Sequence, residues 1–139
     1  MNAILKSKLL RVDDDPYALL KLSLAEKWGD GLPLIPPTDE RVAAMLAATP
    51  RTATDVVVQR LAPKGNAATV ELVAINAVMA CCAPEHLPLL IAAIEAMDVP
   101  AYNAFGLAAT TAPVATMMIV NGPLRNDLGI DCRASCLGG

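Results

Sequence analysis

Histidine is nearly missing from this chain: His86 is the only one. Aromatic residues are also scarce, at 3% of the sequence: Tyr17, Trp28, Tyr102 and Phe105. The core must therefore be assembled from Ala, Leu, Val, Ile and Met, and no cluster of rings is available as a stacking platform. There is no basic stripe either, and the formal net charge is −3 with both signs dispersed. These features argue against nucleic-acid binding. No run of about 18 apolar residues is free of charge and proline, which argues against a membrane span. Lys6 and Lys8 are not followed by an apolar stretch and a small-residue cleavage site, so no secretory leader is expected. A glycine-rich phosphate loop is missing too.

What is present is an apolar excess. Apolar residues make up 55% of the 139 residues, above the usual range of about 45–50%. The length fits one domain, and a chain of this size can bury roughly 70% of its unfolded surface. So much apolar surface on a short chain leads us to expect that part of it faces a partner subunit. The expected location is the cytoplasm. There, four cysteines are expected to be free, metal-bound or redox-active rather than structural disulfides.

Local signals predict an α/β or α+β domain, with several helices packed on a small sheet. Residues 12–30 read as a helix and turn. Asp15 serves as cap, Pro16 occupies the first turn, and Gly29 and Gly31 act as stops. Residues 31–37 form a proline-rich linker in which Pro33, Pro36 and Pro37 rule out a central strand. Residues 38–139 read as the α/β core with a C-terminal cysteine segment. Within it, Thr38 caps a helix from Asp39 to about Ala48. Residues 55–61 predict a strand and 63–66 a turn. Residues 69–82 predict a buried helix, and Pro84 opens another running to about Met97. Residues 116–120 predict a second strand, and Pro123 opens a short helix toward Leu128.

With so little histidine, sulfur is the first candidate to carry chemistry. Cys132 and Cys136 are four apart, which on a helix places both sulfurs on one face. Such a pair can hold a metal or the edge of an iron–sulfur cluster, or cycle as a dithiol. Arg133 beside them favours a thiolate. The bland alternative is two unremarkable thiols. Cys81 and Cys82 end a helical stretch. Adjacent helical residues point about 100° apart, so one of the two is expected to face a site and the other to pack as a small apolar residue. One of them together with Cys132 and Cys136 would make a three-thiolate metal site. Three soft donors favour an iron–sulfur cluster or another thiophilic metal over Mg or Ca. His86, four residues beyond Cys82, is a candidate acid or base, or a ligand, against the plain reading of a satisfied histidine. Thr110, Thr111 and Asn121 flank the second expected strand and are candidate substrate-binding groups, although turn chemistry alone accounts for such residues. Asp30 reads as a turn residue first, and Asn103 is a weaker candidate still.

Several phrases occur together: Trp28-Gly29-Asp30-Gly31-Leu32-Pro33 with Pro36-Pro37-Thr38, Val78 to Glu85, Ala109-Thr110-Thr111-Ala112-Pro113, and Ile119-Val120-Asn121-Gly122-Pro123. In this combination the chain resembles the UGSC selenoprotein-like family, described as thiol-disulfide oxidoreductases, over most of Trp28 to Ile130. It departs from that pattern in having no Cys-Gly-Ser-Cys or selenocysteine equivalent. Longer members of that family continue past the Asn-Gly-Pro phrase into a second Gly- and Asn-rich half. The resemblance therefore implies a split protein whose other half is a separate subunit, with residues 131–136 near the junction.

Three function classes follow. The leading expectation is a subunit of a hetero-oligomeric bacterial enzyme that acts on a small-molecule substrate. Its site would be built from Cys132, Cys136 and Cys81 or Cys82 around an iron–sulfur cluster or metal, with His86 as acid or base and Thr110, Thr111 and Asn121 orienting the substrate. The second is a metal-free dithiol/disulfide oxidoreductase. The third is a non-catalytic structural subunit.

Overall fold

The computed structural model describes residues 5–29 and 31–130. Among these residues, six α-helices and a two-stranded antiparallel sheet make up an α+β domain. Helix α1 spans Pro16–Ala25, and Asp15 caps it by accepting hydrogen bonds from the Tyr17 and Ala18 amides. Helix α2 spans Asp39–Leu46, with Thr38 accepting from the Arg41 amide. Between them, the proline-rich segment runs against the end of a later helix: the Ile35 amide donates to the Met79 carbonyl at 3.2 Å. Arg41 Nη1 ties the same segment down through the Pro36 carbonyl at 2.9 Å.

Strand β1 spans Val56–Leu61 and pairs with β2, Asn66–Thr69, through a tight turn. Gly65 closes that turn at φ +73°, a left-handed conformation that glycine adopts without penalty. Thr69 ends β2 and at once caps helix α3, Val70–Met79, by accepting from the Leu72 amide. A 3-10 turn over Pro84–His86 then leads into α4, Leu87–Met97. A second 3-10 turn, Pro100–Tyr102, precedes α5, Ala104–Ala109, and α6 spans Leu124–Asp127.

The core lies where α2, α3 and α4 meet. Val42 and Met45 from α2 and Leu87 and Ile91 from α4 pack against Val70, Val73, Ala74, Ala77 and Val78 of α3. None of these side chains is aromatic, as the composition requires. Ala74 and Ala77 on the packed side of α3 let its neighbours approach closely, and Val70 and Ala74 are fully buried. Arg51 braces the outside: it pairs with Glu95 of α4 and donates to the Val56 carbonyl at the start of β1.

One buried charge stands out on α3. Glu71 is only 3% exposed. Its carboxylate accepts from the Lys6 amide at 3.0 and 3.2 Å and from the Ser7 amide at 2.8 Å. Burial pushes its pKa up, but the hydrogen bonds from Ser7 and Lys6 outweigh burial and hold it below its ordinary value. The buried carboxylate thus anchors the N-terminal segment to the core helix.

Two expectations about strands need correction. Residues 116–120 do not form a strand: they run irregularly, and Met117 and Ile119 are each 71% exposed. Their β-prone composition has no neighbouring strand among the described residues to complete a ladder. The actual second strand, Asn66–Thr69, overlaps the expected turn. Its composition is poor for a strand, and it forms because the turn folds it back onto β1. Helix α5 was not expected at all.

Truncating Leu87 to Ala in this core is expected to cost about 2–5 kcal/mol, measured by urea unfolding. Acidification should act on Glu71. Because its folded pKa is depressed, its stabilisation is complete above the unfolded-state value and is lost as pH falls through the folded one. Protection of the Lys6 and Ser7 amides from hydrogen exchange should therefore collapse in acid at a pH below the usual glutamate range. In Glu71→Gln that transition should vanish.

Candidate functional site

The two adjacent cysteines sit at the end of α3. The Cys81 amide donates to the Val78 carbonyl at 3.0 Å and the Cys82 amide to the Ala77 carbonyl at 2.9 Å. These two bonds form the Schellman arrangement that terminates helices, and it places Cys81 in the left-handed position at φ +63°. Glycine is the usual occupant there, because a β-carbon in that conformation meets the following carbonyl at a cost of roughly 1–2 kcal/mol. Cysteine at this point carries that strain. Backbone strain at an exposed reactive side chain is a recurrent feature of functional sites.

The two thiols differ in environment. Cys81 is exposed, whereas Cys82 is half-buried against the core. Burial, and secondarily the neighbouring Cys81, push the Cys82 thiol pKa up, so Cys82 rests as a neutral thiol. Both line a shallow cleft of about 210 Å³, together with Ile35, Met45, Pro84 and Arg41. Arg41 is the cation on that wall.

The other expected site residues are placed as follows. Cys132 and Cys136 lie outside the described residues. Among the described residues no group of three or more His, Cys, Asp or Glu side chains is arranged to hold a metal ion. His86 occupies the 3-10 turn after the cysteines and does not line their cleft. Its Nδ1 lies 3.2 Å from the Ala83 carbonyl. That oxygen can only accept, so a hydrogen bond there requires the proton on Nδ1, and the ring is turned onto its own turn. Thr110 Oγ1 accepts from the Ala112 amide at 3.1 Å, a local turn contact. Thr111 and Asn121 are exposed and, like Thr110, line neither cleft.

A larger cleft, of about 460 Å³, lies elsewhere. It is bounded by the end of β1, the end of α4, the Pro100–Tyr102 turn, α5 and residues 114–116. Its polar groups include Arg60, Tyr102 and Thr116, none of which the sequence had marked. The available signal was three of the scarce polar and aromatic side chains, Arg60, Tyr102 and Phe105, falling next to turns, but nothing in their spacing linked them. Comparison with protein-family models, characterised proteins and solved structures finds no match for this chain.

Cys81→Gly is expected to stabilise the fold by about 1 kcal/mol by relieving the left-handed strain, read as a raised midpoint of urea unfolding. Peptide mapping after brief treatment with iodoacetamide should find Cys81 alkylated well ahead of Cys82. Equal labelling would contradict the difference in burial.

Proposed function

We propose that this chain is one subunit of a hetero-oligomeric, cysteine-dependent enzyme whose chemistry centres on Cys81 and Cys82. The observation that carries this reading is their placement: an exposed thiol in a strained cap position, next to a half-buried one, on a cleft that also holds Arg41. The phrases shared with the UGSC selenoprotein-like family point the same way. A reducing cytoplasm would keep such thiols free. A partner subunit is supported by the exposed side chains of Val114, Met117, Met118 and Ile119, which follow one another closely along one uncharged segment.

In the leading form, Cys81 or Cys82 joins Cys132 and Cys136 as soft donors to an iron–sulfur cluster or another thiophilic metal. The described residues supply two such donors, so the set needs at least one of Cys132 and Cys136. When bound, such a group supplies Lewis acidity toward a small substrate at its open position. Cys81 offers an exposed sulfur. Cys82 must first lose a proton that burial helps it keep, so its ligation is expected to release a proton and to strengthen as pH rises.

The exposure of the Cys81 thiol favours a second reading, metal-free thiol exchange. The Cys81 thiolate attacks one sulfur of a substrate disulfide, a mixed disulfide forms, and one substrate thiolate leaves. A second protein thiol, Cys132 or Cys136, then gives up its proton and attacks the Cys81 sulfur. The second substrate thiolate leaves and a protein disulfide remains. Two protein thiols are oxidised and the substrate disulfide is reduced to two thiols.

Anaerobic purification with metal analysis and visible spectroscopy separates the two forms. The metal reading expects a stoichiometric metal and thiolate-to-metal absorption, both lost in Cys81→Ser combined with Cys82→Ser and in Cys132→Ser combined with Cys136→Ser. Colourless, metal-free protein that turns over would rule it out. The exchange reading expects metal-free protein to lose two titratable thiols after exposure to oxidised glutathione. It fails if the thiol count is unchanged.

A further inference from the structure

We propose that the 460 Å³ cleft at the α4–α5 end of the molecule binds a small apolar carboxylate, with Arg60 as its anchor. This site is independent of the thiols, and no residue lines both clefts. Its volume falls within the range of about 300–1,000 Å³ typical of small-molecule sites. The walls are hydrocarbon: Leu61, Met97, Val99, Leu107 and Val114. Such a surface accepts an aliphatic or aryl body and rejects a strongly hydrated one.

The polar groups decide which end of a ligand goes where. The guanidinium of Arg60 sits 5.8 Å from the centre of the Phe105 ring. That distance lies within the range of a cation–π contact, which holds the cation beside the cleft wall. Arg60 makes no ion pair among the described residues, whereas Arg51 is already engaged by Glu95 and the Val56 carbonyl. A guanidinium with no ion pair among the described residues, at the edge of an apolar cleft, matches a carboxylate, which it can bind through two parallel hydrogen bonds. Tyr102 and Thr116 hydrogen-bond to one another on the cleft wall, and either hydroxyl can redirect a donor to the ligand. Asn103 is less available, because its Oδ1 caps α5 by accepting from the Gly106 amide. Asp98, at the C-terminal end of α4, is the acid on the cleft wall and repels a carboxylate. The bound anion is therefore directed to Arg60, with the hydrocarbon body laid along Val99, Leu107 and Val114.

Calorimetric titration of the full chain near neutral pH with phenylbutyrate, its methyl ester and phenylbutylamine tests the assignment. The acid should bind at least about tenfold more tightly than the ester or the amine, since a hydrogen-bonded charge pair is worth that much. Arg60→Gln should weaken the acid about 10- to 100-fold and leave ester binding and the thermal midpoint unchanged. Arg60→Lys, which keeps the charge and loses the fork, should fall between the two and guards against a folding defect in the glutamine variant. The proposal is overturned if the acid binds no better than the ester, if the amine binds best, if Arg60→Gln binds the acid like the parent protein, or if the acid does not bind at all.

Discussion

Burial of helix α3 is the constraint on which the rest of the molecule depends. The chain has almost no aromatic volume with which to fill a core. It compensates by enclosing one helix of small apolar residues between α2 and α4, so that contact area comes from close approach rather than from large side chains. The ends of α3 are then the points where other segments attach. Thr69 joins it to the sheet without a linker, Glu71 holds the N-terminal segment by its backbone, and the Met79 carbonyl holds the proline-rich segment through Ile35. An enclosed helix cannot shift along its axis without breaking all three attachments. Its C-terminal cap, with Cys81 and Cys82, is therefore fixed in position.

That fixed position divides the labour between two neighbouring thiols. A Schellman ending turns the chain sharply, so residues adjacent in sequence leave the helix in different directions. The first is left at the surface and the second is folded back onto the core. The outer thiol is reachable by reagents and ligands. The inner one is shielded, and its proton is held by desolvation. A glycine at position 81 would end α3 more comfortably. Cysteine there costs stability without contributing to the core, and this favours a role for the exposed sulfur over simple packing.

The helix starts are legible in the sequence because each rests on one local interaction. Asp15 and Thr38 cap α1 and α2 from their own side chains, and the prolines at 16 and 84 mark first turns whatever the rest of the chain does. Strands are less legible because a strand needs a partner. Thr116 to Val120 has the composition of a strand and no ladder, whereas Asn66 to Thr69 has the ladder and little of the composition. The adjacent pair Cys81–Cys82 can be picked out from the sequence, but the difference between its members cannot. That difference depends on a left-handed residue after α3, which sequence reasoning would assign to glycine. His86 shows the opposite failure. Its proximity in sequence suggests a catalytic partner for the thiols, yet the 3-10 turn directs its ring to the Ala83 carbonyl. The larger cleft draws on β1, α4 and α5 at once, so no local pattern announces it.

The uncharged stretch between Asp98 and Arg125 links these features. It contains α5, the floor of the larger cleft and the exposed run through Met117 and Ile119. An apolar segment with a strand's composition and no strand neighbour among the described residues has unburied side chains and backbone groups outside any ladder, and pairing with another chain relieves both deficits. Val114 and Thr116 belong to the cleft wall, and Met117 and Ile119 follow them directly. Under the proposed hetero-oligomeric assembly, a chain that covered that run would border the wall carrying Val114 and Thr116, and any coupling between partner and cleft would act equally in both directions.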